Sequence, residues 1–319
     1  MISFREDTEG VPLPLLILVT RPVLGPIGGT DADADGDAGA HDRAGPGFVR
    51  ADAAHPQVSV LDLGVTRGDG VFETVMVSAG HAPAIDAHLQ RFGASAALLD
   101  LPEPDAAVWR AAFDALVDAA AKDFPDAPVL AVKLVLTRGI EGTDRPTGWL
   151  TARPAPDFRA VRERGVRVVT LDRGYRHDVA ATSPWLLQGA KTLSYALNAA
   201  AVREAARRGA DDVIFISSDG FVLEAPTASV LVREGDRILT PTPELGILPG
   251  TTQRRAFTFF AEQGLQTGTV RMRASELARA DALWLVSSVR QAVPVIDLDG
   301  SPRSVDAELT AGLNRYLAT

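Results

Sequence analysis

The sequence contains no cysteine, which excludes disulfide bonds, thiolate metal sites and cysteine nucleophiles. Its five histidines show no metal-ligand spacing and the zinc-binding pattern H-E-x-x-H is absent, so we expect no metal centre. The nucleotide-binding pattern G-x-G-x-x-G after a strand and the Walker loop are absent as well. A formal net charge of −9 argues against a broad nucleic-acid-binding surface, although a local group of Arg and Lys side chains can still bind a small anion.

The apolar run at residues 11–20 is far too short to cross a bilayer. Acidic residues precede it and no small-residue cleavage site follows it, so the segment is unlike a signal peptide. We interpret it as a buried strand and expect a cytoplasmic protein without membrane contact.

The chain has 319 residues, of which 46% are hydrophobic and 23% are charged. This is the profile of a globular protein with room for two domains. Residues 28–47 are rich in Gly, Asp and Ala, which indicates a solvated loop, and their spacing does not match a calcium-binding EF-hand. The Pro- and Arg-rich stretch at 154–160 indicates a linker. We therefore predict a smaller N-terminal α/β domain over 1–153 and a larger C-terminal domain over 161–319.

Hydrophobic periodicity and turn residues predict the secondary structure. Helices are predicted at 84–99, 105–121, 193–206 and 251–263. Single strands are predicted at 11–20, 58–66, 71–78, 129–138, 149–152, 166–171, 282–288 and 292–300. Two hairpins are predicted, one pairing 212–217 with 221–224 and one over 229–240. Because hairpins and helices are mixed rather than arranged as strict βαβ units, the predicted fold class is α+β.

Three elements in the C-terminal half suggest chemistry. Lys191 lies among small and apolar residues, which can desolvate an amine and favour its reactive neutral form. Glu224 closes a predicted strand, where its carboxylate can pair with a ring nitrogen. The stretch L248-PGTT opens a predicted helix, whose N–H groups and hydroxyls suit a phosphate. Each has an ordinary alternative: a surface lysine, an exposed carboxylate, and a Thr251 that caps the helix.

The order of motifs along the chain resembles the class IV aminotransferases, the fold-type IV pyridoxal-phosphate enzymes. The motifs, with compatible spacing between about Leu61 and Gly300, are R67-GDGVFET, H88-LQR, G189-AKTLSY, D219-GFVLE, L248-PGTT, L285-VSS and P294-V. The resemblance implies a two-domain α+β fold like that of D-amino-acid aminotransferase. It also implies pyridoxal 5'-phosphate between the domains and a homodimer with the active site near the subunit interface.

Carried over residue by residue, the resemblance implies that Lys191 bonds covalently to the cofactor and that Glu224 pairs with its pyridine nitrogen. Four further residues would bind the phosphate: Arg91, Thr251, Thr252 and Ser288. Arginine suits this role because its planar guanidinium binds phosphate oxygens bidentately. The family often has Thr near Ser288, and it often has Asn where this chain has Ser229.

Within the family, the sequence most resembles 4-amino-4-deoxychorismate lyases of actinobacterial type. Thr74 stands where branched-chain aminotransferases generally have Gly, and its hydroxyl is similar to the proposed proton-handling group of the lyase. The loop after Arg138 lacks an R-x-H pair that resembles the carboxylate trap of D-amino-acid aminotransferases. Against the lyase, Tyr195 stands where some lyases have Arg.

We therefore predict a lyase that eliminates pyruvate to give 4-aminobenzoate in folate biosynthesis. Lys191 and Thr74 would be its catalytic residues, acting on a small anionic amino substrate. Substrate binding is predicted for Arg67, Lys133, Arg138 and Arg145, since cations of this kind clamp carboxylates, and Tyr195 is predicted to bind substrate as well. Two alternatives stay open: an aminotransferase acting on D-amino or branched-chain amino acids, and a cofactor-free binding scaffold on the same fold.

Overall fold

A computed structural model describes residues 12–24 and 46–319. The predicted loop at 28–47 therefore lies outside the described residues, apart from its last two. Contacts divide the chain into two units. The N-terminal unit contains the described part of Glu9–Ala155 together with Ala190–Ser194, and the C-terminal unit contains Pro156–Gly189 and Tyr195–Thr319. The segment that carries Lys191 thus groups with the N-terminal unit, although the sequence analysis placed it in the C-terminal domain.

The N-terminal unit is an antiparallel five-stranded sheet with helices on one face. Its strands are β1 (Leu15–Val19), β2 (Phe48–Ala51), β3 (Gly70–Ser78), β4 (Val129–Thr137) and β5 (Thr147–Pro154), in the order β2-β1-β5-β4-β3. Its helices are α1 (Leu63–Thr66), α2 (Ile85–Leu98) and α3 (Ala106–Asp123).

Alternation along the strands builds the core of this unit, because successive side chains of a strand point to opposite faces. Leu134 and Leu150, which pair across β4 and β5, are fully buried on the helix side. There they share the core with Phe92 of α2 and Trp109 of α3, whose rings meet edge to face at 4.9 Å. The opposite face carries Phe72, Thr74 and Lys133.

The C-terminal unit is built on an eight-stranded mixed sheet. Its strands are β6 (Val166–Asp172), β7 (Asp212–Ile216), β8 (Ser229–Glu234), β9 (Arg237–Pro241), β10 (Gln266–Val270), β11 (Ala282–Ser287), β12 (Gln291–Leu298) and β13 (Ser301–Pro302). The order is β10-β9-β8-β11-β12-β6-β7, with β13 paired to β12. Its helices are α4 (Arg159–Arg164), α5 (Val179–Thr182), α6 (Ala196–Arg207), α7 (Thr251–Glu262), α8 (Ala274–Leu277) and α9 (Ala307–Ala318), and short 3-10 turns lie at Pro184–Leu186 and Pro243–Leu245.

Trp284 of β11 anchors α7 and α9 to the sheet. Its ring is fully buried and lies 5.7 Å from that of Phe260 in α7. Its indole N–H donates to the hydroxyl of Thr310 in α9 at 2.8 Å, so the one polar atom of the ring is satisfied. The helix α7, which opens at the predicted phosphate segment, is therefore held firmly against the core.

The α+β fold class is confirmed, and most predicted elements are found within a few residues of their expected ends. Two predictions were wrong. Residues 58–66 form no strand, because the Asp62 carboxylate accepts the Gly64 N–H and starts the short helix α1. The helix predicted from residue 193 begins at Ala196. The segment before it is extended and hydrogen-bonds to β3.

Among the described residues, no helix is long and apolar enough to cross a membrane. The same residues contain no group of three His, Asp or Glu side chains that could hold a metal ion.

Candidate active site

Lys191 lies in an extended segment beside the edge strand β3. The Phe72 N–H donates to the Lys191 carbonyl oxygen at 3.0 Å, and the Lys191 N–H donates to the Ser95 hydroxyl at 3.1 Å. A side chain at Gly70 would come within 2.8 Å of Leu193, so glycine permits this close approach. The Lys191 Nζ lies 4.4 Å from the centre of the Phe72 ring. The lysine is thus fixed at its backbone and directed over an aromatic face.

Behind this segment, on the helix side of the sheet, Glu73 forms a buried ionic cluster. The Arg91 Nε and Nη2 each donate to one Glu73 oxygen at 2.7 Å, and the His88 Nδ1 lies 2.8 Å from Glu73 Oε2. Burial raises the pKa of Glu73, but hydrogen bonds from Arg91 and His88 outweigh it and lower the pKa to about 2. Glu73 therefore carries a negative charge that orients the Arg91 guanidinium.

Sequence reasoning singled out Arg91 but missed Glu73 and His88. A signal was present, because His88 and Arg91 are three residues apart and so lie on one face of a helix. Burial lowers the pKa of His88, and the charges of Arg91 and Lys191 act in the same direction, against the opposing effect of Glu73.

Lys133 and Thr74 are direct cross-strand neighbours on the face that carries Phe72. The Lys133 Nζ lies 4.8 Å from the centre of the same Phe72 ring that Lys191 approaches. Burial lowers the pKa of Lys133, and the positive charge of Arg153 adds to the effect. The structure thus brings two predicted residues, Lys191 and Lys133, to one aromatic ring, and a third, Thr74, lies on the same face of the sheet beside Lys133.

The other predicted substrate cations of this unit lie in loops. Arg67 pairs with Glu141 at 3.2 Å, and both side chains are exposed. Arg138 donates to both oxygens of Asp69, at 2.6 and 3.2 Å, and to two backbone carbonyl oxygens. Arg145 is exposed, and its carbonyl oxygen leaves no room for a side chain at Gly139. Arg67 and Arg138 are therefore already engaged by carboxylates of this chain.

Glu224 of the C-terminal unit is half buried rather than an exposed strand end. Its carbonyl oxygen accepts the Phe215 N–H at 2.9 Å, and its Oε2 accepts the Leu248 N–H at 3.2 Å. The carboxylate is thus tied to the loop that leads into α7.

Burial raises the pKa of Tyr195 to about 12, and the charges of Glu224 and Asp212 act in the same direction.

Tyr195 precedes the helix α6, and its hydroxyl donates to the Pro226 carbonyl oxygen at 2.6 Å. The Asn198 amide donates to the same oxygen at 2.8 Å. This predicted substrate residue is therefore held by the backbone two residues after Glu224.

The start of α7 has the features of an anion site. Gly250 is the N-cap and supplies no side-chain cap, so first-turn N–H groups point out of the helix. The side chains of Thr251 and Thr252 are buried. A Cβ at Gly250 would lie 2.3 Å from the Ser229 hydroxyl, so only glycine allows the loop to pass this close.

Ser288 and Arg290 share the turn between β11 and β12. Arg290 is 8% exposed, and its Nη1 pairs with Asp212 at 2.7 Å. Within the described residues, its Nε and Nη2 are buried and have no hydrogen-bond partner. Buried donors of this kind call for an acceptor, and a phosphate would supply one. Sequence reasoning missed Arg290 because nothing local marks a single Arg after L285-VSS as buried.

The model of the family described as amino-transferase class IV matches residues 70–298 of this chain. The chain is 42% identical over 268 residues to the bifunctional aminodeoxychorismate lyase / D-amino acid transaminase of Mycobacterium tuberculosis, covering 81% of this chain and 92% of the relative.

Two solved aminotransferase structures are also similar to this chain, in both sequence and fold. A fold IV transaminase from Curtobacterium pusillum is 54% identical with a TM-score of 0.88, covering 96% of this chain and 99% of that one. A hypothetical aminotransferase from Mycobacterium tuberculosis in its PLP-bound form is 40% identical with a TM-score of 0.80, covering 85% and 96%. The chain therefore belongs to the class IV aminotransferases, a family of pyridoxal-phosphate-dependent enzymes.

Proposed function

We propose that this enzyme is a 4-amino-4-deoxychorismate lyase, which eliminates pyruvate and releases 4-aminobenzoate for folate biosynthesis. The observation that carries the proposal is that the Lys191 and Lys133 amines both approach the Phe72 ring, while Thr74 pairs with Lys133 on the same face of the sheet. The elimination needs a base, a proton donor and a cation for a carboxylate, and these three groups supply them. The lyase activity named for the Mycobacterium tuberculosis relative supports the same assignment.

Pyridoxal 5'-phosphate, when bound, supplies a carbonyl carbon that an amine can attack and a ring that accepts electrons. We propose that Lys191 bonds to that carbon and that Glu224 keeps a proton on the pyridine nitrogen. The phosphate would be bound by Arg91, Thr251, Thr252 and Ser288. The uncapped start of α7 and the unpartnered donors of Arg290 support a phosphate in the C-terminal unit.

The proton steps follow from the groups around Phe72. Once the substrate amine displaces it, Lys191 Nζ acts as a base and takes the substrate ring proton. The C–O bond to the enolpyruvyl group breaks, and the Thr74 hydroxyl supplies the proton with which that group leaves as pyruvate. Aromatisation of the ring drives the reaction. Lys133 binds a substrate carboxylate, whereas Arg67 and Arg138 hold Glu141 and Asp69.

A transaminase acting on D-amino or branched-chain amino acids is the second candidate. It is favoured by the transaminase activity in the name of the Mycobacterium tuberculosis relative and by the similarity to the Curtobacterium pusillum fold IV transaminase. Lys191 and Glu224 serve this reaction equally well, because its first half-step is the same. A cofactor-free scaffold is not supported, since the family consists of enzymes and Lys191, Glu224 and Arg91 are all present.

Assays with two substrates distinguish these candidates. The purified enzyme is incubated with aminodeoxychorismate, and separately with D-alanine and 2-oxoglutarate. The proposal predicts pyruvate and 4-aminobenzoate in equal amounts from the first mixture. Glutamate from the second mixture alone would identify a transaminase, and no product from either would contradict both candidates.

We also propose a homodimer, as the family resemblance implies. The N-terminal unit carries exposed apolar side chains near α1, with Val60 79% and Leu61 60% exposed, which is typical of a contact surface. Light scattering on a size-exclusion column would give twice the 33.7 kDa chain mass if this is correct, and the chain mass itself if it is not. Location in the cytoplasm stays a prediction.

A further inference from the structure

One face of the helix α2 is turned toward Glu73 and toward the segment that carries Lys191. His88, Arg91 and Ser95 are three and four residues apart, so their side chains share that face. His88 and Arg91 hold the Glu73 carboxylate. Ser95 is 2% exposed, and its hydroxyl accepts the Lys191 N–H at 3.1 Å. Sequence reasoning assigned no role to Ser95, although it shares its face of the helix with Arg91.

The segment that carries Lys191 pairs with β3 over only part of its length. The Phe72 N–H donates to the Lys191 carbonyl oxygen at 3.0 Å, and the Leu193 N–H donates to the Gly70 carbonyl oxygen at 2.8 Å. Opposite residues of a complete antiparallel pair exchange both bonds, so the Lys191 N–H would donate back to the Phe72 carbonyl oxygen. The structure directs this N–H to the Ser95 hydroxyl on α2. The position of Lys191 therefore depends on the helix as well as on the strand.

The hydroxyl of Ser95 is what makes this contact possible. An N–H that is shielded from water needs an acceptor, and alanine at position 95 would fill nearly the same space without supplying one. The Lys191 N–H would then be unsatisfied, or it would turn back toward β3 and take the lysine backbone with it. Either outcome loosens the point from which the Lys191 side chain extends over the Phe72 ring.

The charge of Lys191 also acts on this face of α2. Burial lowers the pKa of His88, and the positive charges of Arg91 and Lys191 lower it further, against the opposing effect of Glu73. Arg91 and Ser95 are one helical turn apart, a spacing of about 5–6 Å between Cβ atoms. One helix thus carries both the guanidinium and the support of the reactive lysine.

We propose that Ser95 is a positioning residue, which ties Lys191 to the helix that carries Arg91 and so fixes where the reactive amine lies. The inference rests on the proposed function, in which Arg91 binds the phosphate of pyridoxal phosphate and Lys191 bonds to its carbonyl carbon. Because α2 supports both groups, the amine is held in place before the bond to the cofactor forms, which lowers the cost of forming it. In this role Ser95 acts through Lys191 and not by contact with the cofactor.

Two cofactor forms separate the positioning of the lysine from the binding of the phosphate. Pyridoxal phosphate can bond to Lys191, whereas pyridoxine 5'-phosphate carries a hydroxymethyl group in place of the carbonyl and cannot. Calorimetry on the apoenzyme measures both affinities, and their ratio reports bond formation. Ser95→Ala removes the hydroxyl. Ala96→Gly is the matched control, because it weakens the same helix at the next, fully buried residue without removing a hydrogen bond to Lys191.

We expect the wild type and Ala96→Gly to prefer pyridoxal phosphate over pyridoxine phosphate by the same factor. In Ser95→Ala that preference should fall about two- to tenfold, the usual range for one hydrogen bond, while the affinity for pyridoxine phosphate stays within about twofold of the wild type. Ser95→Thr keeps the hydroxyl and should restore part of the preference. Should Ser95→Ala fail to fold, Ser95→Cys provides the comparison with the same expected direction, because its thiol is similar in size but a weaker acceptor.

An unchanged preference in Ser95→Ala would overturn the inference. An equal fall of both affinities in Ser95→Ala, or the same loss of preference in Ala96→Gly, would also overturn it, since each would show a general effect on the helix. Failure of the proposed function looks different: the wild-type protein itself would then show no preference for pyridoxal phosphate and no visible absorbance with it, whatever residue stands at 95.

Discussion

Lys191 and Phe72 are joined both through the backbone and through their side chains. The Phe72 N–H donates to the Lys191 carbonyl oxygen at 3.0 Å, and the Lys191 Nζ lies 4.4 Å from the centre of the Phe72 ring. The same ring lies 4.8 Å from the Lys133 Nζ. One aromatic side chain thus lies against the amines of both Lys191 and Lys133.

Phe72→Leu should keep the backbone hydrogen bond but remove the aromatic face that orients the amine. A cation–π contact is worth about 0.5–2 kcal/mol, so we expect the affinity for pyridoxal phosphate to fall about two- to thirtyfold. Titration of the apoenzyme followed by visible absorbance measures this. Phe48→Leu on β2 is the control, and an equal loss in both variants would mean that the effect is general destabilisation.

Glu73 makes the stability depend on acid pH. Its pKa is lowered from 4.5 to about 2 in the folded protein, so its stabilising contribution is fully present above pH 4.5. It is lost as the pH falls through about 2. The shift corresponds to a contribution on the order of 3 kcal/mol.

Glu73→Gln should therefore lower the free energy of unfolding at pH 7 by about 3–5 kcal/mol, since it leaves the Arg91 charge without its partner. The variant should also lose stability less steeply than the wild type below pH 4.5. Urea unfolding at several pH values measures both effects. Parallel pH profiles for the two proteins would show that Glu73 is not the titrating group.

Glu224→Gln should retain the cofactor and lose most of the turnover, because a neutral amide cannot keep the pyridine nitrogen protonated. Glu224→Asp, which keeps the charge, should retain more turnover than Glu224→Gln. Visible absorbance reports cofactor binding, and initial rates report turnover. If Glu224→Gln turned over at the wild-type rate, turnover would not depend on the charge of Glu224. Its role would then be structural, through the hydrogen bond with the Leu248 N–H.

Residue patterns within single helices and strands were sufficient to predict most of the fold and part of the site. Alternating apolar residues predicted β3 and β4, and helical spacing predicted α2, α3 and α7, because each signal lies within one element. The region around Lys191 was predicted as the start of a helix because Ala-rich sequence follows it directly. Its extended form depends on β3, more than a hundred residues earlier in the chain, which no local pattern reports.

The missed site residues have the same physical origin. Arg290 is significant because it pairs with Asp212, which lies in another strand. Glu73 of β3 forms its ion pairs with Arg91 and His88, which lie on the following helix α2. Each partnership depends on register or packing, whereas the motif that contains Lys191 is contiguous and was visible in the sequence.

Substitution of Thr74 tests whether the enzyme is the proposed lyase or a transaminase. If its hydroxyl supplies the proton for pyruvate loss, Thr74→Gly should lower the lyase rate about a hundred- to ten-thousandfold, the usual contribution of positioned proton transfer. Transaminase activity should fall far less. Thr74→Ser keeps the hydroxyl and should keep much of the lyase rate. If Thr74 is only a β-branched strand residue, both activities of Thr74→Gly would fall together with the folded fraction.

The central claim is that Lys191 is the residue that bonds to pyridoxal phosphate. The chain contains three lysines, Lys122, Lys133 and Lys191, and the first two provide internal controls. Lys122 lies in the last turn of α3, whereas Lys133 shares the Phe72 ring with Lys191. Borohydride reduction of the cofactor-loaded enzyme followed by peptide mass spectrometry identifies the modified lysine directly. We predict a pyridoxyl label on Lys191 alone and no label in Lys191→Ala; a label on Lys133, or one that persists in Lys191→Ala, would contradict the account.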